Sequence, residues 1–197
     1  LNGEEKEAIQ MLKTLADNDN ADSMFFMAKL LYEGKYFDID KHKASQYFKK
    51  SADLGNSDLM FQYANMLLKG NGIELNKTEG IKYLKKAAEL ESQIGMYNCA
   101  MLMSTGYGTE KNEKKAMEMM KEATGIEDIN DDEEERDKWY SKAIITYGQM
   151  LESKGEDDEA EKYFLAAISL GKDSNGDSYY TYAKFLEKHG KTKKALE

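Results

Sequence analysis

Phe26-Met27-Ala28-Lys29-Leu30-Leu31-Tyr32-Glu33-Gly34 returns as Gln62-Tyr63-Ala64-Asn65-Met66-Leu67-Leu68-Lys69-Gly70, and again as Asn98-Cys99-Ala100-Met101-Leu102-Met103-Ser104-Thr105-Gly106. Ala28, Ala64 and Ala100 therefore stand 36 residues apart. A period of that length, with helical spacing inside it, marks units that cannot bury an apolar face alone and must stack on their neighbours as a solenoid. Met24, Met27, Ala28 and Leu31 share one helical face, as do Ala44, Tyr47, Phe48, Ser51 and Ala52, so each unit reads as a pair of helices.

Small residues mark where paired helices cross. They are Ala28, Ala64, Ala100, Gly148 and Ala183 in the first helix of each unit, and Ala44, Gly80, Ala116, Ala160 and Ala195 in the second. Bulky residues between them fill the interior to native density. Methionine is abundant at 12 residues, and Met60, Met66, Met119 and Met120 fall at core positions, where an adaptable side chain fills gaps.

The expected organisation is a single all-α domain over residues 1–197. It comprises a partial repeat at 1–20, repeats at 21–56, 57–92 and 93–126, an acidic insertion at 127–137, and two further repeats at 138–171 and 172–197. Glu7-Ala8-Ile9-Gln10-Met11-Leu12-Lys13 looks like the second half of a repeat without its first half, which leads to the expectation of a fragment of a longer protein. In the first three units ten residues separate the loop glycine from the small residue of the second helix, as from Gly70 to Gly80; in the last two, five do, from Gly155 to Ala160 and Gly190 to Ala195. The insertion Glu127-Asp128-Ile129-Asn130-Asp131-Asp132-Glu133-Glu134-Glu135-Arg136-Asp137 reads as a solvated loop leading into a long helix from about Asp132 to Ser153. With no proline in the chain, Gly and Asn are left to end the helices.

Composition narrows the function. The formal charge of −9 would repel a polyanion over much of the surface, so nucleic acid is not an expected partner. No run approaches the roughly 18 apolar residues of a membrane span, so no direct membrane insertion of this fragment is expected, nor does a leader of the secretory kind enter the expectation. Cys99, the only cysteine, permits no intrachain disulfide, which fits a reducing compartment and favours the cytoplasm.

Tyr63-Ala64-Asn65-Met66-Leu67-Leu68-Lys69-Gly70-Asn71-Gly72-Ile73, followed by Gly80-Ile81-Lys82-Tyr83-Leu84-Lys85-Lys86-Ala87-Ala88-Glu89, resembles the Sel1-like repeat, and the two neighbouring units resemble it less closely. The last two units are similar to tetratricopeptide repeats: Gly148, Leu151, Gly155, Ala160, Phe164 and Ala167 stand at that family's spacings, as do Ala183, Leu186, Gly190 and Ala195. The resemblance implies a right-handed superhelical solenoid of antiparallel helix pairs that serves as an adaptor for other proteins. Some Sel1-like proteins carry a disulfide in each repeat and are linked to binding penicillin-type or cell-wall compounds; this chain lacks those cysteines.

The resemblance also implies that the inner surface is lined by first-helix positions facing away from the paired helix. Those are Phe25, Lys29 and Tyr32; Phe61, Asn65 and Leu68; Tyr97, Met101 and Ser104; Ile145 and Gln149; Tyr180 and Lys184. Phe25, Phe61, Tyr97 and Tyr180 would then form an aromatic ladder able to grip apolar side chains of a partner. Packing between repeats is the competing role for each of them, and the hydroxyls of Tyr97 and Tyr180 favour the binding role for those two.

Catalytic patterns are missing. His42 and His189 lie in separate units without Cys, Asp or Glu companions at zinc-site spacing, and there is no Gly-rich phosphate loop or nucleophile elbow. Asp173-Ser174-Asn175-Gly176-Asp177 has its glycine at the fourth position of a would-be calcium loop, where the sixth is needed, and reads as a turn with a helix cap. Asn76-Lys77-Thr78 matches a glycosylation triplet that matters only in a secreted protein.

The expected function is therefore a protein-interaction scaffold that holds a peptide or helix of another protein, with no cofactor, no metal and no enzymatic activity. The alternatives are the regulatory solenoid of a larger enzyme and a small-molecule-binding, hydrolase-like module. Ala8, Met11 and Leu12 at one end, and Ala195 and Leu196 at the other, lack outer neighbours, which leaves room for end-to-end self-association.

Overall fold

Asparagine starts these helices instead of ending them. In a computed structural model that describes residues 3–126, 138–170 and 176–191, the side chains of Asn20, Asn56, Asn76 and Asn112 each accept a hydrogen bond from the backbone N–H three residues on, and Asp40 does the same. Asn20 and Asn56 cap first helices; Asp40, Asn76 and Asn112 cap second helices, so the caps repeat with the period. Glu79 accepts in return from the Asn76 amide at 3.4 Å, so the asparagine of the glycosylation triplet serves as a helix cap. Glycine supplies the other end: Gly34 and Gly70 take left-handed conformations, φ 72° and 65°, and donate back to the carbonyls of Leu30 and Met66.

The described residues form ten helices and no strand: α1 (Gly3–Asp17), α2 (Ala21–Glu33), α3 (Lys41–Asp53), α4 (Ser57–Lys69), α5 (Lys77–Glu89), α6 (Gln93–Thr105), α7 (Glu113–Ala123), α8 (Lys138–Ser153), α9 (Asp157–Ser169) and α10 (Asp177–Lys188). The chain divides into two compact units, residues 1–99 with 107–110, and 100–106 with 111–197. The helix expected from about Asp132 is described from Lys138 onward, and the acidic segment 127–137 lies outside the described residues, as do Ala195 and Leu196.

In the first unit α2 packs on α3 and α4 on α5, while α1 meets α2 and α3 meets α4 across successive hairpins. The crossing points are tight. A Cβ on Gly80 would fall 2.8 Å from Leu68 and 3.0 Å from the carbonyl oxygen of Ala64. Met24, Met27, Ala28 and Leu31 of α2 are buried, and so are Met60, Tyr63, Ala64 and Leu67 of α4, one period later. Met66 and Met120 are buried as well, whereas Met119 is only half-buried.

Polar struts recur between consecutive second-type helices. The Tyr47 hydroxyl donates to Asp17 at 3.2 Å, and 36 residues on the Tyr83 hydroxyl donates to Asp53 at 2.6 Å, with Lys49 donating to the same carboxylate at 2.7 Å. Ser51 Oγ donates to the carbonyl of Ala21 at 3.0 Å, and Lys50 pairs with Asp19.

The second unit uses the same devices. Phe164 is buried against Gly148, where a Cβ would stand 2.8 Å from its ring. Tyr147 meets Tyr163 edge to face at 4.8 Å, as Tyr63 meets Tyr83 at 4.9 Å in the first unit. Tyr182 donates to Glu161 at 2.8 Å, and Lys188 pairs with Glu152 at 2.7 Å. The connection between α8 and α9 is short, residues 154–156, while α2–α3, α4–α5 and α6–α7 are joined by the longer segments 34–40, 70–76 and 106–112.

Gly95 separates two opposed effects. Alanine in a helix interior normally gains about 1 kcal/mol over glycine, but here a Cβ would lie 2.7 Å from the Ala88 nitrogen and 2.8 Å from the Ala87 carbonyl carbon, which are backbone atoms of α5. Gly95→Ala is expected to destabilise by about 1–3 kcal/mol as the helices are pushed apart; a thermal melt shifted upward would contradict this. Tyr83→Phe removes a strut donor and should cost about 1 kcal/mol near neutral pH. Burial, then the Asp53 hydrogen bond, push the Tyr83 hydroxyl up to about 12, so its contribution is complete below the ordinary 10.0 and fades as pH rises from there. Burial works against the charge of Asp53, yet the hydrogen bonds from Lys49 and Tyr83 outweigh it and hold the carboxyl below its ordinary 3.8; that contribution is present above 3.8 and is lost as pH falls lower. Urea titrations of wild type and Y83F should therefore differ most between about pH 5 and 9 and converge on both flanks. A pH-independent gap would assign the loss to something other than this bond.

Candidate functional site

The loop after α4 leans onto the start of α3, because Gly72 (φ 82°) has no side chain: a Cβ there would sit 2.3 Å from Cβ of Lys41. That approach lets Lys41 Nζ donate to Asn71 Oδ1 at 2.9 Å, while the Asn71 amide donates to the Tyr32 hydroxyl. The Lys41 ammonium also stands 5.4 Å from the centre of the Tyr32 ring. Three residues from α2, α3 and the α4–α5 loop are thus fixed as one polar cluster.

Below this cluster lies a pocket of about 100 Å³ lined by Tyr32, Phe48, Gln62, Asn65, Met66, Lys69 and Asn71. Phe48 and Met66 form its apolar floor and are buried. Gln62, Asn65 and Lys69 rise along one stripe of α4, at three- and four-residue spacing. None of the three side chains has a hydrogen bond or ion pair to another described residue, and no acidic group lines the pocket. The wall therefore offers amide donors and acceptors and an ammonium group that no described side chain consumes. A second depression, of about 690 Å³, is an open basin along Glu5, Lys35, Tyr36, Phe37 and Asp38, with charges of both signs at its rim.

Of the expected inner-surface residues, the pocket brings together Tyr32 and Asn65. Phe61 and Leu68 are half-buried and do not line it; Leu68 leans over Gly80 in α5. The pocket-lining stripe of α4 is thus 62–65–69, where the resemblance implies 61–65–68. Phe25 is half-buried with its ring 5.2 Å from Phe26, and Lys29 is exposed, 4.0 Å from Glu33. Tyr97 is only 8% exposed and offers an incoming side chain little surface. In the second unit Met101, Ser104 and Ile145 are half-buried and Gln149 is exposed, with the Ser104 hydroxyl donating to its own helix at Met101. Tyr180 is 62% exposed, and Lys184 Nζ stands 4.5 Å from its ring centre.

Among the described residues no group of three or more His, Cys, Asp or Glu side chains is disposed to hold a metal ion. His189 is flanked by Glu152 at 3.8 Å and Asp157 at 3.5 Å. Cys99 is buried, and burial pushes its thiol up to about 11, away from the thiolate form that reacts. No described helix is long and apolar enough to cross a membrane.

The helix pairs and their spacing can be set beside known proteins. The Sel1 repeat profile matches residues 21–56, 57–92 and 93–124, more than half of the sequence. The chain belongs to the Sel1 repeat family. Among solved structures, a Sel1 repeat protein from Oxalobacter formigenes superposes with a TM-score of 0.76 at 21% identity, over 94% of this chain and 71% of that one. A protective antigen of uropathogenic Escherichia coli strains displaying an SLR fold gives 0.75 at 19% identity, over 92% of this chain and 36% of its own length. An immunity protein from Pseudomonas aeruginosa gives 0.58 at 16% identity, over 85% of this chain and 58% of that one. These likenesses establish the solenoid fold of stacked helix pairs. No curated protein sequence matches the chain. Sel1 repeat proteins are generally scaffolds that bind other proteins, and they are typically not enzymes.

Proposed function

We propose that this Sel1 repeat chain is a non-enzymatic interaction scaffold whose first unit receives a peptide or helix of a partner protein over the Tyr32–Asn65–Asn71 pocket. The observation that carries the reading is the stripe Gln62, Asn65 and Lys69, which lines the pocket with side chains that have no hydrogen bond or ion pair to another described residue. Two amides at that spacing match the alternating N–H and C=O groups of a peptide backbone, and the floor of Phe48 and Met66 suits one apolar side chain. Size argues the same way. Small-molecule sites usually enclose roughly 300–1,000 Å³, and a pocket of about 100 Å³ holds a side chain, not a drug-sized ligand. Phe25 and Phe61, half-exposed on first-type helices, extend the contact in the first unit; Tyr180 with Lys184 forms a separate patch in the second.

A selection from a random peptide display library against the wild-type chain should enrich a common sequence pattern. The triple variant Gln62→Ala, Asn65→Ala, Lys69→Ala, with helicity and melting unchanged, should bind the enriched peptides at least tenfold more weakly, consistent with the loss of two or more hydrogen bonds. Undiminished binding by the variant would place the site elsewhere. Turnover in a broad panel of fluorogenic hydrolase substrates would overturn the non-enzymatic part of the reading.

A further inference from the structure

Asn71 ties two hairpins together through its side chain, and the residue after it is glycine. An asparagine amide can be attacked by the backbone nitrogen that follows it, and a follower without Cβ leaves that nitrogen unhindered. Gly72 is exposed and its N–H has no hydrogen bond to a described residue, so the attacking atom is neither covered nor held. Lys41 Nζ donates to Asn71 Oδ1 at 2.9 Å, and because an ammonium group can only donate, the carbonyl oxygen is the atom that faces it. Negative charge builds on that oxygen during attack, so a cation already stands where the charge develops. The Asn71 amide nitrogen, which has to leave, donates to the Tyr32 hydroxyl, whose own proton is taken up by no described residue.

We infer that Asn71 is a self-modification site: in the folded chain it loses ammonia through a cyclic imide with Gly72 and becomes a mixture of aspartate and isoaspartate. Hydroxide takes the Gly72 N–H proton, and the nitrogen's electron pair forms a bond to Asn71 Cγ while the carbonyl pair moves onto Oδ1 beside Lys41. That pair returns as the Cγ–Nδ2 bond breaks. The departing nitrogen carries off the bonding pair and takes a proton from the Tyr32 hydroxyl, which water restores. Water then opens the imide at either carbonyl, so the balance is asparagine plus water giving a carboxylate plus ammonia, with nothing oxidised or reduced. Either product alters the cluster. A carboxylate cannot donate to Tyr32, and it brings a negative charge to a pocket that no acidic group lines. The isoaspartyl form also lengthens the backbone by one carbon just before Gly72, where the chain crosses Lys41 too closely for a single added Cβ. On the reading that a partner peptide docks here, on which this consequence rests, the conversion is a one-way loss of the site with age.

Peptide mapping by mass spectrometry of the full chain, held at neutral and mildly alkaline pH, locates each conversion by the replacement of NH with O. Asn2-Gly3 and Asn175-Gly176 are the same dipeptide, so every event is assigned to its own peptide. Asn71 should convert at a rate that rises with hydroxide, and before Asn56, whose oxygen is held by the N–H of Leu59 and whose follower Ser57 carries a side chain. Lys41→Met should slow the step at Asn71 about tenfold with the circular dichroism spectrum unchanged, and Lys41→Arg, which keeps a cationic donor, should retain most of the rate. An Asn71 still intact when a synthetic peptide of sequence 69–75 has fully converted overturns the inference. So does a rate that Lys41→Met leaves unchanged or raises, since the lysine would then be a spectator or a guard. Asn71→Asp, made directly, separates this chemistry from the docking reading: it should bind the library-selected peptides about tenfold more weakly than wild type. Conversion at Asn71 together with undiminished binding by that variant supports the chemistry and counts against the pocket as the peptide site.

Discussion

Two helices can share an interior only if their axes come close, and in this chain closeness depends on residues with almost no side chain. Gly80 lies against the carbonyl of Ala64 and under Leu68, Gly95 against the backbone of α5, and Gly148 against the ring of Phe164. Each contact leaves no room for a methyl group. The large residues between the crossings, such as Met24, Leu59 and Leu84, are consequently buried almost completely in helices of only three or four turns. Lone helices of that length are marginal in water, so packing at the crossings, not propensity, makes them persist.

Polar groups then fix the register that apolar packing leaves loose. Side-chain caps begin six of the described helices, and glycines in left-handed conformations end α2 and α4, so the lengths of those two helices are set chemically at both ends. The tyrosine–aspartate struts at Tyr47–Asp17 and Tyr83–Asp53 tie one hairpin to the next at the same height. Met119 stands at the equivalent position of the third repeat and cannot donate, so the strut does not recur at that position.

The architecture is legible in the sequence because the spacing of Ala28, Ala64 and Ala100 carries both the period and the crossing point. The direction of the asparagines is not. Asn and Gly both interrupt helices, and only the backbone shows that the Asn side chains accept from first-turn N–H groups. The pocket is legible only in part: of the residues expected on the inner surface it holds Tyr32 and Asn65. A 3.6-residue period leaves 61–65–68 and 62–65–69 about equally plausible as the outward stripe of α4, and Gly80 decides between them by giving Leu68 a hollow to fill. The loop contribution of Asn71 escapes any helical pattern, since it depends on Gly72 meeting Lys41, a residue 31 positions earlier. Tyr97 shows the limit of arguing from residue type: its hydroxyl tolerates water, but its exposure is set by what its neighbours cover.

The cluster of Tyr32, Lys41 and Asn71 draws on two consecutive hairpins, so the pocket is a seam and not a hole within one element. In a stack whose stability is the sum of its members and their junctions, an occupant of a seam adds to the junction term alone. Capture of a ligand there would act like a rivet, raising the stiffness of the spring formed by the first two hairpins and leaving each hairpin's own cohesion as it was.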